Sequence, residues 1–150
     1  MPHSYVSNLM HCVFSTKERL PLITPELEYR LSPYLGGIAR ENTMKALAIG
    51  GTSHHIHALL SLPATMSFAK AVQLIKGGSS KWVHDTFSEY RKFAWQEGYG
   101  AFSVSASQAN RTIAYINNQK EHHRKRTFEE EFIELLDRHG VEYDRRYVFR

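Results

Sequence analysis

The run His54-His55-Ile56-His57-Ala58-Leu59-Leu60-Ser61-Leu62, stopped by Pro63, constrains the fold of this chain more than any other segment. Its composition, with Gly50-Gly51 turning the chain before it and a proline closing it, reads as a β-strand. Side chains alternate faces along a strand. Ile56, Ala58, Leu60 and Leu62 therefore share one face, suited to a core beneath packed helices. His55, His57, Leu59 and Ser61 share the other, with the two histidines about 7 Å apart at the backbone. Their rings can converge on one ion from there. The plain alternative is a pair of surface histidines on an exposed sheet face, because a His-apolar-His triplet is short and common. His54 falls on the opposite strand face and is not paired with either neighbour as a ligand.

Local signals place the remaining elements around this strand. Residues 4–14 alternate and carry β-formers, giving a first strand. Thr24 caps a helix with Pro25 in its first turn, running to about Arg40 with a weak point at Gly36-Gly37. Ala46 to Ile49 is a short second strand. Ser67 caps a second helix that spaces Phe68, Val72, Ile75, Trp82 and Val83 helically. Gly77-Gly78 inside it reads either as close approach by another chain or nucleic acid, or as a kink or tight helix packing. Residues 101–106 form a fourth strand, and Ser107 caps a third helix over about 108–123. A capping-box sequence, Thr127-Phe128-Glu129-Glu130, opens a helix to about His139, ended by Gly140. Val141 to Arg150 reads as extended.

The order strand-helix-strand-strand-helix-strand is that of an α+β, ferredoxin-like (RRM-like) split βαβ sandwich with an antiparallel sheet, here followed by a C-terminal helical extension. One domain is expected over residues 1–150, with a core at about 4–123 and the extension at about 124–150. Helices cover one sheet face. The other is free for a ligand, a partner sheet or a later helix.

Charge permits a polyanionic partner without demanding one: 19 Lys and Arg against 15 Asp and Glu give a net +4. The nine histidines are the more unusual number, and they cluster. Cys12 stands alone, so no intrachain disulfide is available, and it reads as a small packed hydrophobe rather than a nucleophile. With no signal-peptide pattern and no bilayer-length apolar run, the expected location is the cytoplasm, at the nucleoid when bound to DNA.

In the third helix, QANRTIAYINNQKEHH, Ala109, Ile113 and Ile116 form an apolar stripe. Arg111, Tyr115, Asn118, Gln119 and His122 are expected on the opposite side, with Gln119 one turn after Tyr115. A tyrosine beside a metal-bound phosphate can attack phosphorus and displace a sugar oxygen. Gln119 can add an amide oxygen to two imidazole nitrogens, a mixed set that suits Mn²⁺ and accepts Mg²⁺ with water. Taken alone, Tyr115 reads more readily as a half-exposed packing residue than as a nucleophile.

Five segments in order, HCVFSTKER (11–19), HHIHALLSLP (54–63), LIKGGSSKWVH (74–84), WQEGYGAFSVS (95–105) and IAYINNQ (113–119), resemble the single-tyrosine HUH transposases of the insertion-sequence-200-like family, including relatives associated with repetitive extragenic palindromes. The resemblance implies metal-dependent (Mg²⁺ or Mn²⁺) cutting and rejoining of hairpin-bearing single-stranded DNA through a 5′-phosphotyrosine, leaving a free 3′-OH. It also implies a homodimer formed by joining sheets, whose active sites can be composite. By motif, His55, His57 and Gln119 become metal ligands and Tyr115 the nucleophile. The position before the first ligand is often acidic or Asn in such proteins and is His54 here, a change that bears on hydrogen bonding around the metal.

Lys17, Arg19, Lys76, Lys81, Arg111 and Lys120, with Arg124, Lys125 and Arg126, are candidates for phosphate contacts. Trp95, Tyr99 and Phe102 are candidates for base stacking or, as aromatics near a strand, for the core. Two other functions compete with the transposase: a non-catalytic, domesticated single-strand-binding module of the same fold, and a metal-dependent hydrolase using water. The second is disfavoured because no Asp/Glu-rich metal cluster accompanies the histidines.

Overall fold

A computed structural model describes residues 4–149. The chain folds as β1 (Leu9–Ser15), α1 (Pro25–Glu41), β2 (Lys45–Gly51), β3 (His55–Ser61), α2 (Phe68–Thr86), β4 (Gly100–Val104), α3 (Ala109–Asn117), α4 (Gln119–Lys125) and α5 (Phe128–Arg138). The four strands form one antiparallel sheet in the order β2-β3-β1-β4, the ferredoxin-like arrangement expected.

The first two helices form as their sequences dictate. The Thr24 hydroxyl accepts from the Leu27 amide at 3.2 Å, and Pro25 occupies the first turn of α1. Ser67 accepts from the Lys70 amide at 3.0 Å to start α2. Leu27, Leu31, Leu35 and Ile38 of α1 and Ala71, Val72, Ile75 and Val83 of α2 bury against Met10, Cys12, Phe14, Ile56, Ala58 and Leu60 of the sheet. Burial pushes the Cys12 thiol up to about 12, which suits a packed hydrophobe. Both helices run unbroken through their glycine pairs. At Gly78 an added Cβ would lie 3.1 Å from Ile38 Cδ1, so that glycine serves close packing of α2 on α1.

The opposite face is also covered, by α3, α4 and α5. Several expectations need correction here. Gly50-Gly51 does not turn the chain: both residues lie in β2. Gly50 stands opposite His57, and a Cβ there would fall 2.3 Å from the Ile116 carbonyl oxygen, so the glycine admits the backbone of α3 onto the sheet. Gly100 on β4 makes room for a side chain of α5, since its Cβ would lie 2.8 Å from the Phe132 ring. The third helix is not one piece capped by Ser107. A 3-10 turn spans Ala106–Gln108, the Ser107 hydroxyl pairs with that of Ser105 at 3.1 Å, and Asn118 separates α3 from α4. α5 begins with the complete Thr127/Glu130 capping box and stops before Gly140, whose φ is +66°. Residues 141–144 belong to no strand and 145–149 form turns, and Arg150 lies outside the described residues.

Candidate active site

β3 presents His55 and His57 to the face that carries α3–α5, and both are fully buried rather than exposed on a bare sheet. Register aligns His57 with Val13 of β1 and His55 with Ser15. α3 sits on β2 and β3 through Ile116, packed with Ala48 and Leu59. Its sheet-facing side is rotated from the Ala109–Ile113–Ile116 stripe toward Tyr115: Ile116 is buried and Tyr115 half-buried, and Gln119, which opens α4, is buried as well. The expected outward polar side of this segment is thus partly turned inward, because the sheet offers it imidazoles to pair with.

The result is a convergence of nitrogen and oxygen atoms. Gln119 Oε1 lies 3.1 Å from His55 Nε2 and 3.1 Å from His123 Nε2. Glu131, from the first turns of α5, places Oε1 3.0 Å from His57 Nε2 and 3.0 Å from His123 Nε2. Gln119 Nε2 donates to Glu131 Oε2 at 3.2 Å, and the Tyr115 hydroxyl donates to the same oxygen. The Tyr115 and His57 ring centroids are 5.7 Å apart. Tyr115, His55, His57 and Gln119 therefore meet within a single chain. Behind the cluster, His11 Nε2 sits 2.8 Å from His57 Nδ1, and Thr52 Oγ1 sits 2.9 Å from His55 Nδ1. These partners leave the Nε2 atoms of both histidines aimed at the cluster. His54 Nδ1 lies 3.1 Å from His55 Nδ1, so the departure at that position does border a ligand candidate.

Burial sets the charge state. Desolvation, with His57 as a neighbouring base, holds His11 at about 3 and His55 well below its ordinary range. His57 is also lowered by burial, against the pull of Glu131. Burial pushes the Glu131 carboxyl up, but hydrogen bonds from His123 and His57 outweigh it and keep Glu131 ionised. Tyr115 is raised, first by burial and then by its bond to Glu131. Neutral imidazoles, whose Nε2 lone pair opens to a metal when the ring proton sits on Nδ1, an amide oxygen and a carboxylate are the donor types that bind a divalent ion, and the residues present fit one.

Three residues of this cluster were not singled out from sequence: His11, His123 and Glu131. For Glu131 a signal existed. It shares the buried stripe of α5 with Phe128 and Leu135, and an acid on such a stripe calls for a partner. The cluster holds one carboxylate, Glu131, among three histidines, so it is not an Asp/Glu-rich site.

The candidate DNA-contacting cations are spread widely. Arg111 lines a cavity of about 550 Å³ together with His11, Tyr115, Arg138 and His139. Arg19, Arg124, Lys125 and Arg126 line a second, of about 520 Å³, with His54 and His123. Lys17 is exposed. Lys76 donates to the carbonyls of Gln96 and Gly98, Lys81 pairs with Asp85, and Lys120 pairs with Glu28. Phe102 is buried and Trp95 packs against the core, whereas Tyr99 is exposed.

An antiparallel split βαβ sandwich with paired histidines facing a helical tyrosine is the class this chain defines. A family profile described as "Transposase IS200 like" matches residues 4–119, and the chain belongs to that family. No curated protein matches it. Among solved structures it is similar to a Deinococcus radiodurans R1 protein described as a candidate transposase, at 24% identity and a TM-score of 0.59 over 79% of this chain and 96% of that one. It is also similar to a REP-associated tyrosine transposase bound to a REP hairpin, at 16% identity and a TM-score of 0.55 over 77% and 68%. These two likenesses support the fold. Among the described residues no helix is long and apolar enough to cross a membrane.

Proposed function

We propose that this chain is a metal-dependent tyrosine transposase that cuts and rejoins hairpin-bearing single-stranded DNA. The observation that carries this reading is the meeting of Tyr115 with buried His55, His57 and Gln119 in one cluster. His55 and His57 would hold the divalent ion through Nε2 and Gln119 through Oε1. When bound, such an ion supplies Lewis-acid polarisation of a phosphate.

The residues supply the rest. Tyr115 Oη attacks phosphorus, the P–Oη bond forms and the P–O3′ bond breaks. The phenolic proton passes to Glu131 Oε2, the acceptor of its hydrogen bond, as the bond forms, and the departing 3′ oxygen takes up a proton from water to become a free hydroxyl. The 5′ phosphate stays esterified to Tyr115, so bond energy is conserved and rejoining needs no nucleotide cofactor. Arg111 and Arg138, in the cavity beside Tyr115, face the space a phosphodiester would enter. Arg19, Arg124, Lys125 and Arg126 around the second cavity offer a basic track on the other side. Lys17, Lys76, Lys81 and Lys120 are weaker contributors, the last three being already engaged by protein partners. The edge strands β2 and β4 are where two copies would join sheets into a homodimer.

A labelled single strand carrying a hairpin tests this. Wild-type protein with Mn²⁺ or Mg²⁺ should form a denaturation-resistant protein–DNA adduct. Tyr115→Phe, or chelation of the metal, should abolish it. An adduct at wild-type level from Tyr115→Phe would sink the assignment. Coverage of the cluster by α5 favours a second reading, a hairpin-binding module without cleavage; tight binding with no adduct in either metal would establish it instead.

A further inference from the structure

We propose that His123 and Glu131 complete the metal site of this chain, so that a first-row transition dication is held by three imidazoles, one carboxylate and the Gln119 amide oxygen. This deepens the histidine-pair site above and rests on it. Both residues lie beyond the 4–119 segment that the family profile matches.

The geometry points there directly. One ligand atom each from His55, His57, His123 and Glu131 lie within 4.8 Å of one another. The close spacings are 3.0 Å from Glu131 Oε1 to the Nε2 atoms of both His57 and His123, and 3.1 Å from Gln119 Oε1 to those of His55 and His123. His55 Nε2 to Glu131 Oε1 is 3.8 Å. In an octahedral shell with bonds of about 2.1 Å, neighbouring ligand atoms sit about 3 Å apart. Five donors at these spacings leave a further position for a water or a phosphate oxygen.

Glu131 is not a roaming surface carboxylate. It is 1% exposed, on a helix capped at Thr127 and pinned to the sheet through Phe128, Leu135 and Leu136. Its ion-pair partners among the described residues are the histidines; the nearby Arg126 pairs with Glu134 instead. A buried carboxylate without a lysine or arginine, ringed by imidazoles, is a seat for a cation. Three imidazoles favour manganese, iron, cobalt, nickel or zinc over magnesium, which prefers oxygen shells. Glu131 would then join two parts of the site, with Oε1 toward the ion and Oε2 accepting from the Tyr115 hydroxyl.

The test is a Co²⁺ titration of the metal-free full chain, followed by its visible absorption bands and by calorimetry, with no DNA present. Wild type should bind one Co²⁺ per chain, and excess Mg²⁺ should not displace it. Glu131→Gln and His123→Ala should each weaken binding by roughly tenfold or more and alter the absorption bands. Melting curves in chelator check that each variant folds, and His123→Ala carries the test if Glu131→Gln does not fold. Wild-type affinity and spectrum in a folded Glu131→Gln, or in His123→Ala when Glu131→Gln does not fold, would overturn the proposal. His57→Ala separates this from the parent reading. Loss of Co²⁺ in His57→Ala alone leaves the histidine-pair site standing and removes only the added ligands, whereas unchanged binding in His57→Ala would bring down both.

Discussion

The same strands build two unlike faces. Toward α1 and α2 the sheet shows Met10, Cys12, Phe14, Ile56, Ala58 and Leu60, an apolar layer with no chemistry to perform. Toward α3–α5 it shows His11, Val13, His55, His57 and Phe102, and the covering helices answer with Tyr115, Gln119, His123 and Glu131 between flanking apolar contacts. The first face stores stability by burying carbon. The second surrounds a polar cluster with Ile116 and Leu59 on one side and Phe128, Leu135 and Leu136 on the other, and among the described residues each buried side-chain polar atom finds a partner. Stability and chemistry are separated by the thickness of one sheet, and period-two alternation is what separates them.

That division can be broken experimentally. Leu60→Ala removes a fully buried side chain from the first face and should cost about 2–5 kcal/mol in urea unfolding while leaving Co²⁺ affinity near wild type. A parallel fall in metal affinity would show that the faces are coupled. Gly50→Ala should do the reverse. Its Cβ meets the backbone of Ile116, not a side-chain tip that can rotate away, so α3 must lift off the sheet. A stability loss of about 1–3 kcal/mol is expected, together with a disproportionate drop in adduct formation as Tyr115 leaves its place.

Acid should affect the second face first. Chelated, metal-free protein keeps His11 neutral down to about 3, while the unfolded chain takes up a proton near 6.5. The unfolded state binds more protons in that window, so stability present above 6.5 is lost as pH falls toward 3. His55 and His57 shift in the same direction, and Glu131, held low, adds a loss below the ordinary carboxylate range. Unfolding at pH 7.5 and 5 should differ by about 2 kcal/mol from His11 alone. His11→Gln should flatten that slope, and an unchanged slope would move the acid sensitivity elsewhere. The smallest effect belongs to the outer surface of the first face. Gly77→Ala, exposed in the middle of α2 with nothing near its would-be Cβ, should stabilise by about 0.5–1 kcal/mol without touching DNA binding. Weakened binding there would revive the reading of that glycine pair as a nucleic-acid contact.

Much of the fold was legible because its signals are local. Thr24-Pro25, Ser67 and the Thr127 capping box mark helix starts through hydrogen bonds made within one turn. The strand at His55–Ser61 announces itself through alternation, and its face assignment was sufficient to bring the two histidines together. Gly50-Gly51 misled because a glycine pair fits a hairpin turn and a close helix crossing equally well, and only the position of Ile116 distinguishes them. The apolar stripe over 109–116 does not by itself mark the buried side of that segment, because imidazoles on the sheet draw Gln119 inward.

Sequence by itself determined the strand and helix order, the facing of His55 and His57, and, through its motifs, the family. Periodicity and capping act over a few residues, so they can be read without knowing what lies opposite. Tertiary structure alone decided that the histidines are buried, that Tyr115 reaches them within one chain, and that Glu131, 74 residues beyond His57 along the chain, closes over them. Contacts of that kind depend on how α5 docks on the sheet, and docking follows from Gly100 opposite Phe132 and from the shape of the whole face, which no local window contains.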